Sequence, residues 1–297
     1  MREAAVPAEI DAFELPLGEH EYERLRRIVQ AEAGIHLGPA KQALVAGRLG
    51  RRLRELGLGS FREYCALVER DPSERVELLD RISTNETRFF REPHHFELLA
   101  RQVLPRWQAE ADQGRRPRSI RAWSAACSTG EEPYTLAMVL LGAFPPGTGW
   151  ELSILASDLS TRVLRRAQEA TWPAKRAEDI PPTDLRQFML RGVGPRHGEI
   201  RAGPELRALV RHARINLTQE LPPLGSMDLV FCRNVLIYFD APTKQAVLTR
   251  LIEHLAPDGY LFLGHAESLA GASLPLRSIS PSVYQHTSRR RPRAGAP

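Results

Sequence analysis

The chain has 297 residues, enough to bury a core and to hold two domains, and its 42% apolar and 26% charged content fits a soluble globular protein. No run of eighteen apolar residues occurs, which argues against a helical membrane span. The acidic start "MREAAVPAEIDAFELPLGEH" has no apolar segment of the secretory kind. Three scattered cysteines, Cys65, Cys127 and Cys232, point to a reducing, cytoplasmic setting rather than a disulfide framework, and a net charge of +5 carries no signature of nucleic acid.

After an N-terminal extension (1–20), spacing predicts a small helical domain over 21–82. In "HEYERLRRIVQAEAG" the residues Tyr22, Leu25, Ile28 and Val29 share a face, and after the break "GIHLGP" so do Val45, Leu49, Leu53 and Leu56. Lys41, Arg48 and Arg52 line a neighbouring arc, with Arg51 further round. That arc is either a solvated face or a docking stripe for acidic side chains. "SFREYCALVER" reads as a short helix, and "DPSERVELLDRIS" opens with Asp71 as cap, Pro72 in the first turn and Glu74 three residues after the cap.

From about residue 90 the pattern changes. "PHHFELLARQVLPRWQAEA" predicts a helix opened by a surface pair, His94 and His95, and no metal-ligand spacing such as HExxH or CxxC accompanies it. Then "IRAWSAA", "WELSILASD", "MDLVFCRNVLIYF" and "GYLFLG" read as strands, with "PYTLAMVLLGAF", "TRVLRRAQEAT" and "TKQAVLTRLIEHLAP" as the helices between them. Such alternation predicts an α/β domain over 93–287 with a largely parallel sheet, its ligand at the carboxyl ends of the strands. Turns at Gly192, Gly194, Gly198 and Gly203 leave a small antiparallel insertion and a plain loop both open for 181–216. The basic end 288–297 reads as a disordered tail.

The most informative stretch is "AACSTGEEP" at 125–133. It has one glycine and no lysine, so it is neither GxGxxG nor a Walker A loop. Its small residues admit close backbone approach, while Glu131 and Glu132 repel phosphate and favour a cation. Asp158 ends the second predicted strand, where a carboxylate accepts hydrogen bonds from ribose hydroxyls. A nucleoside with cationic groups and no phosphate, such as S-adenosylmethionine, satisfies both features. Two glutamates that merely stabilise a helix start are the plainer alternative.

These strings, with "STNETRFFREPHHF" (83–96), "ASDLS", Asn216-Leu217, "VFCRNVLIYFD" and "LAPDGYLFLGHAESL" in the same order, make the sequence resemble the CheR-type methyltransferases. These enzymes methylate glutamates of chemotaxis receptors with S-adenosylmethionine and release S-adenosylhomocysteine. The resemblance implies a Rossmann-like methyltransferase domain with a small antiparallel β subdomain at about 188–202, an all-helical N-terminal domain, and a joining segment 83–92 that contributes to the cofactor site. By motif it implies Asn85, Thr87 and Arg91 against the cofactor, Ala125 and Glu131 at its methionine end, Asp158 at the ribose, and Asn216 and Leu217 at the adenine. It places Arg233, Asn234 and Tyr238 near the transferred methyl and the acceptor carboxylate, with Arg233 or Arg91 guiding that carboxylate. It also gives Lys41, Arg48, Arg51 and Arg52 a specific task, docking the acidic helical bundle of a receptor. The β subdomain is a candidate grip for a receptor tether peptide. A monomer without metal, nucleic acid or membrane insertion completes the expectation. Its rivals are a non-catalytic binding module and a methyltransferase for another substrate.

Overall fold

The computed structural model describes residues 15–269 and 274–288, so most of the N-terminal extension and the basic tail lie outside the described residues. The chain divides between Ser83 and Thr84 into two compact units. No described helix is long and apolar enough to cross a membrane.

Among the described residues the first unit holds the α-helices α1 (Glu19–Ala33), α2 (Gln42–Glu55), α3 (Phe61–Arg70) and α4 (Pro72–Ile82). Ser60 caps α3 by accepting from the Glu63 amide, and Asp71 caps α4 by accepting from the Ser73 amide. The core takes Tyr22, Leu25 and Val29 from α1 and Val45, Leu49 and Leu53 from α2, while Ile28 and Leu56 stay half-buried.

In the second unit, helix α5 (Pro93–Leu98) runs through a π turn at Leu99–Val103 into α6 (Leu104–Asp112). Pro105 has no amide proton for the Arg101 carbonyl, which accounts for the widened turn. The strands and helices then follow as β1 (Ser119–Ala125), α7 (Glu131–Ala143), β2 (Glu151–Asp158), α8 (Thr161–Glu169) and β3 (Thr171–Pro173). Next come α9 (Pro182–Phe188), β4 (Met189–Arg191), β5 (Glu199–Ala202), α10 (Pro204–Leu209) and β6 (Val210–Arg214). The last elements are β7 (Met227–Cys232), α11 (Ala241–Glu253), β8 (Leu255–Leu263), β9 (Leu276–Ser280) and β10 (Val283–His286).

The main sheet has the order β6-β2-β1-β7-β8-β10-β9. Strands β6, β2, β1, β7 and β8 pair in parallel, and β10 pairs antiparallel with β8 and β9. Order reverses beside β1, so the crevice for a ligand opens where β1 ends. Period-2 alternation sends Ile120, Ala122, Leu229, Phe231, Tyr260 and Phe262 to one core layer. Trp123, Ala125, Val230, Cys232, Leu261 and Leu263 go to the other. Both faces are covered, which is why the central strands read as continuous apolar runs.

A second, antiparallel sheet has the order β3-β5-β4. The choice between insertion and loop therefore resolves to an insertion, with β4 and β5 inside 188–202 and a third strand contributed from Thr171–Pro173. At Gly192 a side chain would stand 1.9 Å from the Arg196 carbonyl, so the hairpin admits only glycine there.

Candidate functional site

The parallel register sets Ala125 opposite Ser157 on one side and Cys232 on the other, and sets Asp158 opposite Arg214. Glu131, Asp158, Asn216 and Arg233 therefore leave neighbouring strands within a few residues of the same sheet edge. The loop after β1 alternates left-handed residues, with φ of 64° at Ala126, 51° at Ser128 and 98° at Gly130. Five of the eight described non-glycine residues with positive φ are Phe90, Glu92, Ala126, Ser128 and Asn234, all near these strand ends or in the segment before α5. Such strain gathers where a backbone is held for function. Gly130 is obligatory: besides its φ, a Cβ would meet the Ala167 backbone at 3.0 Å and the Trp172 ring at 3.5 Å.

The loop's polar groups are tied to the residues singled out from the sequence. The Ser128 amide donates to Asp158 Oδ2 at 2.9 Å and the Ser160 amide to Oδ1 at 2.9 Å, which fixes the carboxylate at the end of β2. Ser128 Oγ donates to the Asn85 carbonyl at 2.9 Å. Glu131 opens α7 nearly buried; its Oε2 accepts from Thr129 Oγ1 at 2.6 Å, and Oε1 lies 4.0 Å from Arg176 Nε. A cavity of about 470 Å³ is lined by Asn85, Thr129, Glu131, Trp172 and Arg176 among others. Asn85 Nδ2 is enclosed without a hydrogen-bond partner. The sequence-predicted set thus splits: Asn85 and Glu131 share this cavity, while Asp158 is not part of its lining and joins them through Ser128.

Arg233 is bound within the fold more tightly than its motif implies. Its guanidinium does not wait for an acceptor carboxylate. Nη1 donates to Glu132 Oε2 at 3.0 Å, Nη2 lies 3.2 Å from Glu92 Oε2, and Nη2 also donates to the Arg91 carbonyl. The side chain is 2% exposed. A buried arginine must be neutralised locally, and two glutamates already do so. Burial opposes ionisation of Glu92, yet Arg233, the His265 amide and the Asn234 side chain together hold its carboxyl below the ordinary value. Burial pushes Glu132 upward, against the pull of Arg233 and Ser124. Glu132 thus turns back to Ser124 Oγ and Arg233 instead of facing the loop.

His95 corrects the sequence reading. The expected surface pair divides: His94 is exposed and His95 wholly buried, packed edge-on to Phe262 with centroids 5.5 Å apart. Burial, then the nearby Arg233 charge, lowers its pKa to about 3, so the imidazole is neutral.

Asn234 adopts φ 58°, and its Nδ2 donates to Glu92 Oε1 at 3.3 Å. Asn216 forms an Asx turn, accepting from the Thr218 amide at 3.0 Å beside the buried Leu217. Tyr238, half-buried, ends the turn Leu236–Tyr238. Arg91 is half-buried, and its Nη1 donates to the Glu86 carbonyl at 2.9 Å. Thr87 is half-buried in the same segment.

Sequence reasoning missed Glu267. Its buried carboxylate accepts from the amides of Asn234 (2.9 Å), Leu236 (2.7 Å), Ile237 (3.3 Å) and Gly264 (2.6 Å), clamping the whole turn after β7. The signal lay in "GHAESL", where a glutamate sits just past a glycine that ends a strand. Gly264 closes that bond.

In the helical unit the basic stripe is also partly spent. Arg52 grips the buried Glu74 with two bonds, Nε–Oε1 at 2.9 Å and Nη2–Oε2 at 2.6 Å. Arg48 donates to the Ile82 carbonyl at the end of α4. Lys41 and Arg51 are exposed, and Arg51 pairs with Glu55 at 3.3 Å. The four cations therefore do not form one open row.

Chemically, the strand ends offer two fixed carboxylates, an unpartnered amide and small residues for close approach. This set fits a ligand carrying hydroxyls and an amine. It offers no thiol nucleophile: burial, then Asp158, pushes the Cys127 thiol well up, and burial with Glu267 does the same to Cys232.

Two family models match the chain: "CheR methyltransferase, all-alpha domain" over residues 20–83, and "CheR methyltransferase, SAM binding domain" over residues 85–284. "Chemotaxis protein methyltransferase 2" of Pseudomonas aeruginosa is 43% identical over 268 residues, covering 89% of this chain and 92% of its own length. "Chemotaxis protein methyltransferase" of Escherichia coli K12 is 38% identical over 260 residues, covering 86% and 87%. With a SAM-binding domain following an all-helical one, and relatives this similar over most of both lengths, the chain belongs to the CheR methyltransferase family.

Proposed function

We propose that this protein transfers a methyl group from S-adenosylmethionine to glutamate side chains of chemoreceptor cytoplasmic domains, leaving S-adenosylhomocysteine and a glutamate methyl ester. The observation that carries the reading is the pair of carboxylates, Glu131 and Asp158, tied through Ser128 and Thr129 to the one loop at the sheet's switch point. The relatives' printed names supply the chemotactic setting.

The cofactor supplies an electrophilic methyl on a sulfonium. In this assignment Asp158 holds the ribose hydroxyls, Glu131 the ammonium, Asn216 and Leu217 border the adenine, and Asn85, Thr87 and Ala125 complete the walls. Asn85 Nδ2, which no group among the described residues satisfies, is a ready donor toward such a ligand. The acceptor needs no base, since a glutamate with a reference pKa of about 4.3 is already an anion at neutral pH. What the chain must supply is alignment. With Arg233 committed to Glu92 and Glu132, the carboxylate guide is Arg91. Arg233 and Asn234 then hold the wall beside it, and Tyr238 covers the acceptor from the turn that Glu267 clamps. Lys41 and Arg51 are the docking charges for an acidic bundle, and exposed Leu190 on β4 and Val193 just after it are the docking edge for a tether peptide.

The test is incubation of the purified chain with labelled S-adenosylmethionine and chemoreceptor cytoplasmic domains. Base-labile label mapped to glutamate supports the reading. Cofactor binding without transfer, or base-stable label on another side chain, overturns it.

A further inference from the structure

One cluster beside the strand ends is left unexplained by methyl transfer. Glu92, His94 and His95 bring three ligand atoms within 4.8 Å of one another. Hydrogen bonding fixes what His95 presents. Ser282 Oγ donates to the Pro281 carbonyl at 2.8 Å, so it accepts from His95 Nε2–H at 2.9 Å. In the tautomer this arrangement suits, with the proton on Nε2, Nδ1 carries a bare lone pair. That lone pair faces Glu92 Oε2 at 3.5 Å, acceptor against acceptor; Nδ1 is enclosed with no hydrogen-bond partner among the described residues, and Oε2 has the Arg233 guanidinium at 3.2 Å. Glu92 Oε1, by contrast, accepts from the His265 amide and from Asn234.

In that tautomer two lone pairs face each other, an arrangement that a cation between them relieves. The Arg233 guanidinium approaches Oε2 to 3.2 Å but does not reach Nδ1 with a bond, since Nη1 and Nη2 serve Glu132 and the Arg91 carbonyl. The separation suits a metal. Tetrahedral zinc with bonds of roughly 2.0–2.1 Å sets its ligand atoms about 3.4 Å apart. Imidazole already fixed by a hydrogen bond at its other nitrogen is the usual form of a histidine ligand. His94 is exposed, with its ring centroid 4.2 Å from that of His95, so it can close over the same point while solvent supplies a fourth ligand. Two carboxylates, Glu92 and Glu132, stand against one guanidinium here, so the cluster's own charge favours an added cation.

We infer that Glu92, His94 and His95 form a binding site for a divalent transition metal of the zinc class. Occupancy takes the Glu92 oxygen that faces Arg233, loosens the wall beside Arg91 and Asn234, and so inhibits the enzyme. The binding claim is independent of the proposed methyl transfer; the inhibition rests on it.

Cobalt(II) titration of the purified full chain tests the binding directly. The expected result is one equivalent bound, with tetrahedral d–d absorption and no thiolate charge-transfer band, weakened at least tenfold in His94→Ala and in Glu92→Gln. Equal affinity in wild type and both variants, absence of binding at millimolar cobalt, or a thiolate band overturns the site. In the transfer assay, zinc should slow the wild type and spare His94→Ala, each relative to its own metal-free rate, with reversal by a chelator. Binding without inhibition overturns the coupling and leaves the site. Absence of any transfer counts against the proposed function alone, because the cobalt arm still decides the site.

Discussion

Two adjacent strand ends show opposite ways of building a site. After Ala125 the chain turns through small residues; the Ser128 and Ser160 amides hold Asp158, and Thr129 Oγ1 holds Glu131, with Arg176 Nε at 4.0 Å. After Cys232 the chain turns through Arg233 and Asn234, and every strong charge there meets a partner: Arg233 with Glu92 and Glu132, and Glu267 with four amides. The first end sets Thr129 and Glu131 against a cavity; the second is cross-tied by side chains and amides from other segments. An ionisable residue in a functional motif is thus a candidate contact only if the fold leaves its charge unspent.

The contrast breaks most severely at Arg233. Arg233→Met should cost the second unit about 3–5 kcal/mol, because two enclosed glutamates lose their cation. Adding Glu132→Gln should restore part of that loss, as read by denaturant midpoints. A stable single variant would mean the pair is not held as described. Asp158→Asn should do the reverse, weakening S-adenosylhomocysteine binding by about 10–100-fold, the span of roughly 1.5–3 kcal/mol for charged hydrogen bonds. Calorimetry measures it, and unchanged affinity would remove Asp158 from the ligand. Gly130→Ala should lower stability by about 1–2 kcal/mol through its left-handed backbone and the crowding against Ala167. An unchanged melting temperature would show that the loop can relax.

The smallest expected effect is a pH slope from His95. Its folded pKa, about 3, lies below the unfolded value of 6.5, so the unfolded chain binds the proton first. The stability this confers is present above 6.5 and is lost as pH falls toward 3. Between pH 6.5 and 5.5 the loss should be about 1 kcal/mol, and His95→Gln should remove it. An identical slope in the variant would place the titration elsewhere.

The sheet's inner strands and the β1 loop were legible because burial on both faces writes apolar runs, and because a lone glycine before two glutamates has few other uses. β6 and β9 were not. "VRHAR" and "LRSIS" lie at the two sheet edges, where half-exposed polar side chains erase alternation. His95 escaped because two adjacent histidines look polar, whereas stacking of Phe231 on Phe262 at 4.1 Å makes a flat apolar floor that one ring covers. Arg48 and Arg52 shared an arc in the helical pattern, but Glu74 and the Ile82 carbonyl that occupy them come from α4, and helical spacing within α2 carries no trace of a partner on another helix.

The three sulfhydryls have a practical consequence. Cys65 is enclosed in the helical unit, while Cys127 and Cys232 are enclosed in the sheet unit. A thiol-reactive dye must therefore wait for a unit to open before it can label, and the peptide that becomes labelled names which unit opened. The natural sequence thereby carries a separate unfolding reporter for each half, without any engineered probe.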